Sequence, residues 1–129
     1  MNLKSNVLIF SVFRKDRSNA MNEAFHANTL KELKALGLPV VELEGKYNGS
    51  EETSILVQGF ENRVIVERLC TEFSQECYLE SHNDRASFLV YPNGSKVGIG
   101  TLTPVSKEVA EASGSYSYNR VAQQHFITR

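Results

Sequence analysis

Three segments of this sequence are apolar on both faces, and this property limits the possible folds more than any other. Successive side chains of a strand point to opposite faces of its sheet. Apolar residues occupy both parities in residues 7–13, 55–57 and 88–90. A sheet of such strands needs cover on both faces, because an open face would be a large exposed apolar patch.

A helix is predicted to follow the first strand. Ser18 and Asn19 are both residues that cap helices, and the helix that one of them begins is predicted to run to about Leu36, with Gly37 as its stop. Apolar residues recur here at spacings of three or four, which predicts that they face the sheet. These residues are Ala20, Ala24, Ala27, Leu30, Leu33 and Leu36.

The remaining pattern predicts strands around one further helix. The helix spans residues 61–75, and the strands span residues 40–47, 52–58, 77–80, 86–91 and 96–102. Asn48-Gly49 predicts a turn, and Pro92-Asn93-Gly94 predicts a hairpin. Periodicity weakens from Thr103 onward, where residues 113–117 read as a loop and residues 118–127 as a final strand or arm.

This order of elements is β-α-β-β-α-β with extra strands. It is typical of the α+β class and of the ferredoxin-like split βαβ arrangement, an antiparallel sheet with two helices on one face. The chain of 129 residues is expected to form a single domain, with the C-terminal strands added to this sheet. Since two helices cover only one face, we expect a second copy, or several, to pack against the other.

Charge and composition exclude several classes of protein. Fourteen Lys and Arg residues against 15 Asp and Glu give a net charge of −1, so no attraction to nucleic acid is expected. The apolar run at residues 7–13 is too short for a signal sequence or a membrane span. Cys70 and Cys77 make no disulfide framework, which indicates the cytosol; buried free thiols are favoured over a redox pair.

Familiar catalytic signatures are mostly absent from the sequence. Three histidines, His26, His82 and His125, lie far apart, and Gly98-Ile99-Gly100 falls in a hairpin strand without a following helix. No metal site, cofactor or phosphate-binding loop is therefore predicted. His26 is interpreted as a surface or satisfied histidine, and Ser11 as a small core residue.

The densest polar cluster lies at residues 45–54, where the phenol of Tyr47 precedes the adjacent carboxylates Glu51 and Glu52. An ordinary solvated turn is the alternative interpretation. Adjacent side chains at a strand start point to opposite faces, so only one carboxylate belongs to a site. Parity places Glu52 with Leu56 on the face assigned to the oligomer, where a partly desolvated carboxylate favours a cationic ligand.

Several short motifs carry a family resemblance through their order and spacing. They are Ser11-Val12-Phe13-Arg14, Asn22 with His26, Gly45-Lys46-Tyr47 before Glu51-Glu52, Arg68-Leu69-Cys70, Gln75-Glu76-Cys77, and Leu89-Val90-Tyr91 before Asn93-Gly94. On these motifs residues 7–94 resemble the small phage-encoded S-adenosylmethionine lyases, long described as hydrolases. The loop before the carboxylates is shorter than in some relatives, which leaves the choice between Glu51 and Glu52 open, and the tail after Thr103 has no counterpart in the resemblance.

The resemblance implies a cytoplasmic homotrimeric enzyme whose sites lie between subunits and need no metal or cofactor. In the reaction that the resemblance implies, the carboxylate of S-adenosylmethionine attacks the γ-carbon of the same molecule and expels 5′-methylthioadenosine, leaving homoserine lactone. Depletion of this methyl donor would serve a phage against restriction.

We expect Glu52 to hold the substrate ammonium and Tyr47 to hydrogen-bond beside it. Phe13 is a candidate aromatic wall for the adenine or the sulfonium, with a core position as its alternative. The alternative function is a non-catalytic trimeric module of the same fold that binds or senses a small molecule.

Overall fold

Nine strands and three helices succeed one another in the computed structural model, which describes residues 6–47 and 49–129. The strands are β1 Val7–Phe10, β2 Val40–Tyr47, β3 Ser50–Glu51, β4 Ser54–Gln58, β5 Tyr78–Ser81, β6 Ala86–Val90, β7 Lys96–Val105, β8 Tyr116–Asn119 and β9 Gln124–Thr128. The helices are α1 Asn19–Ala35, α2 Arg63–Glu72 and α3 Lys107–Ser113, and a 3₁₀ turn, Phe60–Asn62, precedes α2. Within these residues no helix has both the length and the hydropathy needed to cross a membrane.

The sheet closes on itself. Its strands follow the order β2-β4-β1-β5-β6-β7-β9-β8, every pairing is antiparallel, and β8 pairs back with β2. The expectation of an open ferredoxin-like sheet with two helices on one face is therefore wrong. The fold is a closed eight-stranded antiparallel barrel with three helices, because β7 continues to Val105 and the segment after it supplies α3 and the two strands that complete the circle.

A glycine permits this closure. Gly45 lies opposite Ser117 where β2 and β8 pair. A Cβ atom at Gly45 would lie 2.2 Å from the carbonyl oxygen of Tyr116, a distance that no side chain tolerates. The two strands can therefore approach here only because residue 45 has no side chain.

Two apolar clusters lie on the two faces of the strands. The outer cluster joins Leu8, Ile55 and Val57 to Leu33 of α1 and to Val66 and Leu69 of α2. The inner cluster fills the barrel with Val7, Ile9, Leu43, Leu56, Leu79, Leu102 and Phe126. Parity along β4 is as predicted, since its odd residues meet the helices and Leu56 points the other way.

The second face is covered by the chain itself. Leu56 is fully buried against Leu102 of β7 and Phe126 of β9. The inference that another copy packs on this face is therefore wrong, because β7 and β9 of the same chain cover it. A homotrimer stays a prediction, but this face no longer provides the reason for it.

Helix α1 begins as predicted but buries a face that shares only Leu30 and Leu33 with the predicted one. The Ser18 side chain accepts a hydrogen bond from the Met21 amide, which confirms the N-cap. Its buried residues are Asn22, His26, Thr29 and Leu33, whereas Ala20, Ala24, Ala27 and Leu36 are exposed. Each buried polar side chain has at least one partner: Asn22 bonds both backbone groups of Arg14, and Thr29 donates to Phe25. Nε2 of His26 lies 2.7 Å from Glu42, while its Nδ1 has no partner among the described residues. These hydrogen bonds offset the cost of burying polar side chains. The polar face can therefore pack against the sheet in place of the alanine-rich face that periodicity predicts.

Local signals located most of the other elements. Strand β2 has the predicted bounds, and a hairpin turn at Pro92-Asn93-Gly94 joins β6 to β7. The second helix, Arg63–Glu72, is shorter than expected. The predicted final strand is two strands, β8 and β9, and α3 was not predicted. Asn48 of the predicted Asn48-Gly49 turn lies outside the described residues.

A buried carboxylate ties β5 to α2 and β7. Glu80 is fully buried, and it accepts hydrogen bonds from Arg63, from Lys96 at 3.0 Å and from His82 at 2.9 Å. Burial by itself acts to raise the pKa of Glu80, but the hydrogen bonds from Lys96, His82 and Arg63 outweigh it and hold the pKa below its usual range.

We expect Glu80→Gln to lower the free energy of unfolding at neutral pH by about 2 kcal/mol, the value of hydrogen bonds to a charged group. Because the pKa of Glu80 is lower in the folded state, its contribution is complete above the unfolded-state pKa and is lost as the pH falls through the folded-state pKa. Urea unfolding of both proteins across this range measures the effect, with the exposed Glu108→Gln as control. A stability difference that does not change with pH would contradict the prediction.

Candidate functional site

Three clefts meet at Glu52 at one mouth of the barrel. The antiparallel register brings the end of β1 beside the starts of β4 and β5. The apolar cleft, about 350 Å³, is lined by Ile9, Leu79, Leu89, Tyr47 and Glu52, among others. The loop cleft, about 330 Å³, contains Phe13, Lys15, Tyr47 and Glu52. The tyrosine groove, about 380 Å³, contains Glu52, Tyr116, Tyr118 and His125.

Glu52 is half-buried in the segment between β3 and β4. Its amide donates to the carbonyl of Gly45 at 3.0 Å, which holds it against β2. Burial raises the pKa of Glu52, while the neighbouring Ser11 hydroxyl and the charge of Lys15 act in the opposite direction. A carboxylate that has lost part of its hydration in this way attracts a cationic ligand.

The structure separates the two adjacent carboxylates. Glu51 is exposed in β3, where it pairs with Lys46 of β2. Glu51 lines the loop cleft and the tyrosine groove, but Glu52 alone of the two also lines the apolar cleft, together with Ser54. Strand β4 begins only at Ser54 and not at residue 52 as predicted, so Glu52 lies in the two-residue connection between β3 and β4.

Tyr47 ends β2 and lines the apolar and loop clefts beside Glu52. Residue Tyr47 remains 39% exposed, and its hydroxyl lies beside the Ser117 side chain. Burial among neighbouring protein atoms and then the negative charge of Glu52 raise the pKa of Tyr47. The phenol therefore keeps its proton across the neutral range and can act as a hydrogen-bond donor.

Phe13 reaches the same region from the other side. It follows β1 and lines the loop cleft with Tyr47 and Glu52, so this cleft contains all three residues that the sequence proposed for the site. The Phe13 ring packs edge-on against His26 at 6.0 Å between centroids, and its carbonyl accepts from Gln75 at 2.9 Å. Phe13 is thus held in place on two sides. The roles of these three residues remain predictions.

Two serines near the site were missed by sequence reasoning. Ser11 is buried, donates to the carbonyl of Thr53 at 2.8 Å and accepts from the amide of Phe13 at 3.0 Å. It therefore connects the loop after β1 to the residue next to Glu52. Ser117 contacts Tyr47 from β8, a strand that the sequence assigned partly to a loop. In the sequence, the one sign that Ser11 lies near the site is its position in the motif Ser11-Val12-Phe13-Arg14.

Nucleophilic and metal-binding groups elsewhere are engaged or spread apart. Cys70 and Cys77 are free thiols; Cys70 is buried as predicted, whereas Cys77 is only partly buried. Burial raises the pKa of Cys77, and raises that of Cys70 to about 12, so neither is a ready thiolate. His26 and His82 pair with different glutamates on different strands. Within residues 6–47 and 49–129 no three His, Cys, Asp or Glu side chains gather as a metal site would require.

Fold and site together describe a small closed antiparallel barrel with a partly desolvated carboxylate and a phenol at its mouth, an arrangement suited to a cationic small ligand. A family model described as the S-Adenosylmethionine lyase family matches residues 8–129. The chain belongs to this family, whose name indicates a lyase that acts on S-adenosylmethionine. The match includes the segment after Thr103, which closes the barrel and supplies Ser117. A search of curated proteins finds no match.

Proposed function

We propose that the protein cleaves S-adenosylmethionine by intramolecular attack of the substrate's carboxylate on its own γ-carbon. The bond from the carboxylate oxygen to the γ-carbon forms as the bond from the γ-carbon to sulfur breaks. The electron pair of the broken bond stays on sulfur, so neutral 5′-methylthioadenosine and homoserine lactone leave. The observation that carries this proposal is the half-buried Glu52 beside Tyr47, in a chain that belongs to the S-adenosylmethionine lyase family.

The cleft suits a reaction in which opposite charges neutralise each other. The charges of the carboxylate and the sulfonium are partly neutralised in the transition state, so a drier environment raises the free energy of the ground state relative to that of the transition state. Ile9, Leu79 and Leu89 supply an apolar wall next to Glu52. Glu52 binds the ammonium group, which keeps its charge throughout, and Tyr47 hydrogen-bonds beside it. The methionyl chain is then held in its folded conformer without a cation on the attacking carboxylate.

Incubation with S-adenosylmethionine followed by chromatography tests the proposal. Appearance of 5′-methylthioadenosine supports it, whereas protection against heat without turnover would support the non-catalytic binding module. Reaction in heavy-oxygen water separates a lyase from a hydrolase. Label in the γ-hydroxyl of homoserine means that water attacked the γ-carbon; a lactone that opens later takes label only in its carboxyl group.

We propose further that the active unit is a homotrimer with sites between subunits, as the family resemblance implies. Two observations support an additional contact: the clefts around Glu52 are open, and α1 exposes Met21 and Phe25 at 50% and 36%. Light scattering at micromolar concentration is expected to give three times the mass of the 14.5 kDa chain. A mass near that of one chain would contradict the trimer.

The proposed biological role is removal of a methyl donor that some restriction enzymes require, in the cytosol of a phage-infected host. It rests on the resemblance to phage-encoded lyases. Expression in a strain with such a restriction system is expected to raise the plating efficiency of unmodified phage. Expression of Glu52→Gln at equal level is the control, and equal protection by both proteins would contradict depletion as the cause.

We expect Tyr47→Phe to lower kcat/KM by about 10-fold, because a hydrogen bond to a charged group contributes roughly 1 to 2 kcal/mol. The substitution keeps the ring and removes only the hydroxyl. Tyr91→Phe is a matched control, since Tyr91 lines the same apolar cleft, and we expect its kcat/KM to stay within about 2-fold of wild type. Equal losses in both variants would mean that the Tyr47 hydroxyl has no special role.

A further inference from the structure

The tyrosine groove presents three aromatic rings on the outer face of the barrel. Tyr116 and Tyr118 are two residues apart on β8, so they share a face, and His125 of β9 lies opposite Tyr118 in the register. The Tyr118 and His125 rings are 4.3 Å apart between centroids and tilted by 31°, and Tyr116 lies 5.7 Å from His125. All three are partly exposed to the groove. They form a shelf, named here the aromatic shelf, to which another flat ring can be added.

The groove has an excess of negative charge around this shelf. Four carboxylates line it, those of Glu44, Glu51, Glu52 and Glu111, against the ammonium groups of Lys46 and Lys107. Arg120 pairs with Glu44 at 3.6 Å, so one carboxylate is in excess. A ligand with phosphate groups meets repulsion here, while an exocyclic amine finds acceptors. The charges therefore favour a neutral or cationic aromatic ligand over an anionic one.

The groove is continuous with the proposed site through Glu52, which lines both. A volume of about 380 Å³ is within the range of small-molecule sites. The loop cleft, in contrast, contains Phe13 and Tyr47 and has three cations, Arg14, Lys15 and Arg17, against the carboxylates of Glu51 and Glu52 that it shares with the groove. The aromatic shelf therefore offers the larger stacking surface and the charge that suits an amine-bearing ring.

We propose that the aromatic shelf of Tyr116, Tyr118 and His125 stacks the adenine ring of a neutral or cationic purine nucleoside, and that the carboxylates around it exclude nucleotides. This inference rests on the proposed function, in which the nucleoside is the adenosyl part of a substrate whose ammonium lies at Glu52. Phe13, the candidate aromatic wall, then contacts the sulfonium side of the substrate or has only a packing role.

Binding of the product is the direct test, because it requires no turnover. Calorimetric titration of the full-length protein with 5′-methylthioadenosine, adenosine and AMP is expected to show similar affinity for the two nucleosides and affinity about 10-fold weaker for AMP. Equal affinity for adenosine and AMP would overturn the exclusion of nucleotides.

Variants at Tyr118 test the stacking. Tyr118→Leu is expected to weaken 5′-methylthioadenosine binding by about 10-fold, while Tyr118→Phe, which keeps the ring, stays within about 2-fold. Thermal melting of each variant separates loss of the shelf from loss of the fold. If Tyr118→Leu binds the nucleoside like wild type and Phe13→Leu does not, the adenine lies in the loop cleft and the inference is wrong.

Charge reversal on α3 tests selectivity without changing the shelf. Glu111 is exposed and its nearest cation, Lys107, is 3.9 Å away, so Glu111→Lys should fold normally. We expect this variant to bind AMP several-fold more tightly than wild type does, with adenosine unchanged. Glu108→Lys lies on the same helix outside the groove and is the matched control. Equal gains in both variants would show general attraction and overturn the inference.

The two proposals fail in different experiments. If no 5′-methylthioadenosine forms from S-adenosylmethionine but the nucleoside binds in a Tyr118-dependent way, the lyase proposal fails and the shelf stands. If turnover is observed and nucleoside binding does not depend on Tyr118, the lyase stands and the shelf is wrong.

Discussion

Replacing Glu52 with glutamine is expected to lower kcat/KM for S-adenosylmethionine by at least about 100-fold, on the order of 3 kcal/mol. The substitution keeps the shape of the side chain and removes the charge that pairs with the substrate ammonium. The loss is large because Glu52 is half-buried in the apolar cleft, where water compensates less for a missing charge. Kinetics of the variant, with its assembly checked by light scattering, measure the effect.

Glu51→Gln is the matched control, because it makes the same change one residue away. Glu51 is exposed and is absent from the apolar cleft, so we expect nearly unchanged kinetics. If Glu51→Gln is inactive while Glu52→Gln remains active, the ligand lies on the outer edge of β3 and the proposed site is misplaced.

The pH dependence of wild-type turnover offers a second check on Glu52. Burial raises its pKa, and only the ionised form holds the ammonium, so kcat/KM should fall with decreasing pH below a bend that lies above the usual glutamate range. Lys15 opposes this shift, so removing its charge in Lys15→Met should move the bend to still higher pH. If the bend in the pH profile does not move in Lys15→Met, the group that titrates is not Glu52.

Placing a charge inside the barrel is expected to abolish folding. Leu56→Asp puts a carboxylate among the apolar side chains of Ile9, Leu102 and Phe126. An uncompensated buried charge costs about 3 to 5 kcal/mol, a large part of the roughly 5 to 15 kcal/mol by which domains are stable. We therefore expect a protein without a cooperative urea transition.

Val97→Asp is the control for this change, since Val97 is a strand residue that is 51% exposed. We expect it to lower stability by less than about 1 kcal/mol. The same experiment examines the face of Leu56, because a subunit interface there would give a folded but dissociated chain. A native, monomeric Leu56→Asp protein would show that the inner cluster is not the centre of this fold.

Parts of the site could be recognised from the sequence because they depend on neighbours in the chain. Tyr47 and Glu52 are only five positions apart, on either side of the turn at Gly49 and the short strand β3, so their closeness follows from the local sequence. Ser117 and the aromatic shelf could not be recognised, because β8 meets β2 through pairs such as Glu44 and Tyr118, far apart in the chain. Nothing local to either strand specifies that pairing.

Local chemistry by itself determined a helix cap at Ser18 or Asn19, the bounds of β2, the hairpin at Asn93-Gly94 and the need for cover on both faces of the strands. Tertiary structure alone decided what that cover is. Strands β7 and β9 cover Leu56 from within the same chain, since closing the barrel satisfies the last strand edges and buries the inner cluster in one step. Tertiary structure also decided which face α1 buries. Periodicity shows which residues share a face, but the hydrogen bonds of Asn22 and His26 depend on partners that only the folded chain supplies.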